Sequence, residues 1–147
     1  MELKTKLIKP YTEEQKLNFI VEQNHNNGYE IRETETALEA LGYTTEELEQ
    51  QEITRIAQLS MTGADVERAI YQAKGIDFED ILTLVKSQEN SGQAYNIDLK
   101  ALKIELKANN FYRGNPYINQ IGELLGFTTE QLDQFFETKN WQTLVNA

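Results

Sequence analysis

With 147 residues, 39% of them hydrophobic and 26% charged, the chain is long enough to bury a sizeable core and too apolar to be disordered throughout. Twenty-four acids against fourteen bases give a formal charge of −10, which disfavours nucleic acid and anionic lipid as partners. The absence of cysteine excludes disulfides and thiolate metal sites, and the lone histidine, His25, cannot by itself build a zinc centre.

The opening reads as extended: Leu3, Leu7 and Ile8 lead to Pro10, which disfavours helix in the residue before it. No apolar run is long enough to span a bilayer, and Met1 to Pro10 lacks a signal peptide's apolar stretch. A soluble, intracellular product is the expectation. Thr12 with Gln15 forms a capping box for a first helix carrying Leu17, Phe19, Ile20 and Val21, which the cluster from Asn24 to Gly28 stops. Between Tyr29 and Leu41 the signals conflict. Tyr29 and Ile31 alternate like a strand, whereas Ala37, Leu38 and Leu41 fit a helical face, so a short hairpin and a short helix both stay open. Residues 1–42 are therefore read as an N-terminal segment with one helix.

The rest of the chain repeats a corner. Leu41-Gly42-Tyr43-Thr44 and Leu125-Gly126-Phe127-Thr128 each place a glycine able to close a helix before a threonine able to cap the next one. Glu47 and Gln131 complete capping boxes, and a looser copy runs from Gly75 to Ile81. Helical spacing then recurs through Ile53 and Ile56, Val66 and Ile70, Ile81 and Val85, Leu102 and Leu106, Ile118 and Ile121, and Leu132 and Phe136. The expected fold is mainly α: a compact multi-helix bundle of helix-corner-helix units, with at most one short β-hairpin near 29–41. Residues 43–147 form its helical domain, with a flexible loop at 87–96 where the sequence turns small, polar and aperiodic.

No pattern of residues specifies a chemistry. Phosphate loop, nucleophile elbow, zincin helix and EF-hand loop are all missing, so no metal, cofactor or catalytic residue is assigned and an enzyme is not expected. Acid pairs at helical spacing, such as Glu130 with Asp133, arise by chance in a chain this acidic, and His25 reads as a solvated residue near a helix end. A helix-turn-helix regulator is the alternative. Ile53 to Leu59, a corner at Ser60-Met61-Thr62, and a helix from Gly63 to Lys74 have the right rhythm, with Arg68, Gln72 and Lys74 as groove contacts. Asp65 and Glu67 oppose it, because they would face phosphates early in the recognition helix. The stretch from Asn109 to Tyr117 stands out instead. Phe111, Tyr112, Arg113 and Tyr117 are residue types that anchor protein interfaces, and they are the candidate partner-binding residues; filling gaps between helices is their plainer use.

Three stretches together resemble small proteins of bacteriophage and prophage tail modules from anaerobic and Gram-positive bacteria. They are Ile8-Lys9-Pro10-Tyr11-Thr12, Met61 to Val66 running on to Ala73-Lys74-Gly75, and Phe111 to Asn115 with Phe136-Glu137-Thr138. The resemblance implies a virion component or assembly factor that contacts tail proteins, in the host cytoplasm during assembly or in the virion. It carries no catalytic residues, and Tyr29 to Gln51 departs from the pattern. No membrane partner is expected, an oligomer is possible, and the identity of the tail partner stays open.

Overall fold

The extended opening is a strand, β1 (Glu2–Ile8), and it belongs to a sheet that the helical signals conceal. The computed structural model describes residues 1–90 and 97–146, and the chain divides into two units, Met1–Glu52 and Ile53–Ala147. In the first unit α1 (Glu13–Ile20) starts at the Thr12–Gln15 capping box and continues as a π-helical turn, Val21–Asn26. Strands β2 (Glu30–Glu33) and β3 (Ala37–Gly42) then form a hairpin, and β3 lies between β1 and β2 in an antiparallel sheet ordered β1-β3-β2. Thr34 makes the hairpin turn: its hydroxyl accepts from the Ala37 N–H at 3.1 Å, and its own N–H donates to the Ala37 carbonyl at 2.8 Å. The open choice over 29–41 thus resolves to the hairpin. β3 mimics a helix because Glu39 is the only polar residue on the face it shares with Ala37 and Leu41, which blurs the alternation of a half-exposed strand. Ala37, Leu38, Ala40 and Gly42 are all buried.

α2 (Thr45–Ala57) follows, capped by the reciprocal bonds of Thr44 and Glu47 at 3.1 Å each. The corner at Leu41-Gly42 therefore joins a strand to a helix, not a helix to a helix. Gly42 ends β3 with no positive φ; a Cβ there would lie 2.9 Å from Lys4 Cε and from the Tyr29 ring.

The second unit holds β4 (Ser60–Thr62), α3 (Gly63–Lys74), α4 (Phe78–Asn90), α5 (Leu99–Glu105), β5 (Asn110–Tyr112), α6 (Pro116–Leu125), α7 (Thr129–Thr138) and a 3-10 turn, Trp141–Leu144. Of the loop expected at 87–96, residues 87–90 continue α4, and 91–96 lie outside the described residues. Here the second corner is as read: Gly126 closes α6 at φ +80°, and Thr128 with Gln131 caps α7. Ile70, Ile81, Leu102, Phe111, Ile118, Phe135 and Phe136 are among the side chains that fill the core. They leave an apolar cavity of ≈ 20 Å³, room for no more than about one water.

The fold is accordingly mixed α/β, and the expected helical bundle is corrected. Seven α-helices are joined among the described residues by two small antiparallel sheets, the second being the β4–β5 ribbon. The strands are three to seven residues long, and the β1–β3 and β4–β5 pairings are long-range, so a local periodicity cannot register such partners.

Candidate functional site

The stretch from Asn109 to Tyr117 is built as a brace. β5 pairs with β4 so that Met61 lies opposite Phe111 and Ser60 opposite Tyr112. Pleating sends Met61 and Phe111 into the core, where Phe111 meets Phe78 edge to face at 6.0 Å between centroids. Two backbone bonds extend the ribbon's closure: Arg113 N–H to the Leu59 carbonyl at 2.8 Å, and Gly114 N–H to the Ala57 carbonyl at 3.0 Å. The opposite end closes where Gly63 N–H meets the Asn109 carbonyl at 2.8 Å.

Arg113 turns inward and is only 5% exposed. Its Nε donates to Asp133 Oδ1 at 2.7 Å, Nη1 to Asn119 Oδ1 at 2.7 Å and Nη2 to the Thr129 carbonyl at 3.4 Å, which ties the loop to α6 and α7. Tyr117 is half-buried against the core just after the Asn115 cap of α6. Of the four sequence-selected residues, then, Phe111 and Arg113 hold the fold, Tyr117 mainly packs, and Tyr112 alone presents a large free surface, at 57% exposure.

The residues of the helix-turn-helix reading are engaged locally. Arg68 pairs with Asp65 at 2.9 Å, Gln72 lines a cleft with Phe135, Lys139 and Trp141, and the Lys74 ammonium sits 5.5 Å above the Phe127 ring. The intended corner, Ser60–Thr62, is β4. His25 is exposed on the π-helical turn.

Two features escape a motif search. In the first unit Glu33 collects three donors: the Tyr11 hydroxyl at 2.5 Å, Lys9 at 3.5 Å and Lys16 at 3.6 Å. The Tyr11 bond holds the Glu33 carboxyl below its usual range, helped by Lys16 and Lys9, and the same bond pushes the Tyr11 hydroxyl up to about 12. In the second unit Lys100, Lys103 and Lys107 fall on one side of α5 and its following turn, a spacing the sequence does display. Among the described residues there is no group of three or more acids or histidines placed to hold a metal ion, and no helix is long and apolar enough to cross a membrane. Compared with known protein families, curated proteins and solved structures, the chain matches none.

Proposed function

We propose that the chain is a non-enzymatic structural or assembly protein of a phage or prophage tail, acting through protein–protein contacts. The tail assignment rests on the sequence resemblance. The mode of action rests on one observation: Tyr112 stands out, 57% exposed, from a ribbon whose Met61 and Phe111 are fixed in the core. A rigid, exposed tyrosine binds at low entropic cost, because little besides its own ring must be ordered on contact. Ser60, opposite it on β4, is small and exposed, which leaves the tyrosine ring free to be covered by a partner.

The test uses Tyr112→Ala alone, because Phe111 and Arg113 are buried and their loss would destabilise the unit as well as remove a surface. The variant is expected to stay folded and to lose capture of a tail component. Deleting the gene from an inducible prophage is expected to give defective tails by electron microscopy and fewer plaques. Normal tails and full infectivity without the gene would overturn an essential role. Mass spectrometry of purified particles separates a virion component, which is retained, from an assembly factor, which departs.

A further inference from the structure

α2 is thirteen residues long and buries none of them, although a helix of that length without packing is marginal in water. Glu46, Glu49 and Ile53 recur along it at i, i+3 and i+7, so two carboxylates and an isoleucine that is 61% exposed share one stripe. The helix begins in an acidic region, for residues 1–52 carry twelve acids against five bases.

The opposite pattern lies on the C-terminal unit. A groove of ≈ 290 Å³ beside α4 and α5 is lined by Leu82, Leu99, Thr83, Glu79, Lys86 and Lys103. Leu82 and Leu99 are half-buried and supply apolar walls, and the Thr83 hydroxyl is already donated to the Glu79 carbonyl at 3.0 Å. Glu79 and Lys86 are two helical turns apart, so the one carboxylate of the lining is well separated from that ammonium along α4. Lys100, Lys103 and Lys107 repeat at i, i+3 and i+7, with Ile104, 70% exposed, on the same side. Among the described residues, none of these four lysines has an ion-pair partner. A cationic, partly apolar face left unpaired on a chain of net charge −10 is what a docking surface for an acidic helix requires.

We propose that the α2 stripe of one copy docks on the lysine face of α4 and α5 of the next, so that the chain associates with itself head to tail. The two faces match in spacing, in charge and in carrying exposed apolar residues. Ile53 meets Leu82, Leu99 and Ile104, while Glu46 and Glu49 meet the lysines. Because the faces differ, the contact is heterologous: each added copy brings one used and one unused face, giving a ring or an open row instead of a closed dimer. One helix on one groove buries less than the roughly 1,200 Å² of a standard stable interface, so the association is weak and salt-sensitive. It needs only this chain and stands apart from the tail-module reading.

Sedimentation velocity on the full chain at rising concentration provides the test. The mean mass is expected to grow beyond two copies at low ionic strength, and raising the salt tenfold is expected to weaken association about 10-fold or more. Lys100→Glu with Lys103→Glu, and separately Glu46→Lys with Glu49→Lys, should each be monomeric with an unchanged circular-dichroism spectrum. Mixed, the two variants meet with opposite charges at both contacts, native face on native face and reversed face on reversed face, so association beyond two copies is expected to return. A wild-type chain that stays monomeric up to millimolar concentration at low salt overturns the proposal. So does a dimer that never exceeds two copies, or one that survives both charge reversals. Capture of DNA or of an acidic peptide by a chain that stays monomeric would also overturn it, and would give the lysine face to that ligand.

Discussion

Arg113 Nε lies 2.7 Å from Asp133 Oδ1, with the guanidinium buried and the carboxylate at 32% exposure. The pair is asymmetric, and the asymmetry predicts unequal costs. Without Asp133 the buried cation keeps only Asn119 and a long contact to the Thr129 carbonyl; without Arg113 the carboxylate rehydrates. Asp133→Ala is therefore expected to destabilise by about 3 kcal/mol and Arg113→Ala by about 2 kcal/mol, on denaturant unfolding. Replacing both by Met and Leu should recover most of the loss, since apolar packing substitutes well for a desolvated pair. Equal costs, or no recovery in the double variant, would count against this account.

Two glycines are required for different reasons, and substitution should tell them apart. Gly63 has ordinary φ, but a Cβ there would sit 2.7 Å from the Ala108 carbonyl, so Gly63→Ala must push β5 off β4. A cost of about 2 kcal/mol is expected, accompanied by a change in the environment of Phe111 and Tyr112 visible by near-ultraviolet dichroism. Gly126 has open space but φ +80°, so Gly126→Ala should cost about 1 kcal/mol with no such change. Thr128→Ala, which removes the cap after it, should cost about 1 kcal/mol as well.

What the sequence made legible was local chemistry. Thr12, Thr44, Thr62, Asn115 and Thr128 each accept the hydrogen bond their position implies, because a cap and its target lie two or three residues apart. The sheets were hidden for the converse reason. Ala37-Leu38-Glu39-Ala40-Leu41-Gly42 has no β-branched residue and becomes a strand through pairing such as that of Leu38 with Leu7, 31 residues before it, and of Ala40 with Ile31, nine before it. The candidate site was legible in residue type and not in direction. Phe111, Tyr112 and Arg113 alternate across β5 and its continuation, so only the middle one faces out, and that alternation needs the strand to be known first.

DNA binding is expected to be absent in a gel-shift or fluorescence titration, even at low salt, where phosphate contacts are strongest. Reading a groove would require Arg68 to leave Asp65 and Lys74 to leave the Phe127 ring, each at some cost. Tight, sequence-selective binding that is lost on Arg68→Ala and Lys74→Ala would restore the helix-turn-helix reading.

The Tyr11–Glu33 bond makes the N-terminal unit sensitive to pH at both extremes. Glu33 is held below its usual carboxylate range when folded, so its contribution is present above the unfolded value and is lost as pH falls through the folded one. Tyr11 is pushed up from 10.0 to about 12, so the protonated hydroxyl is favoured in the folded chain; that contribution is present below pH 10 and lost as pH rises through about 12. Between those limits the bond is intact, with Lys16 and Lys9 adding attraction that salt screens. Glu33→Gln removes the charge while keeping an oxygen acceptor. In that variant one tyrosine should titrate closer to 10 by tyrosinate absorbance, and the acid limb of the unfolding curve should flatten. An unchanged absorbance titration would show that Tyr11 does not depend on Glu33, because Glu13, the other charge acting on it, is untouched by the substitution.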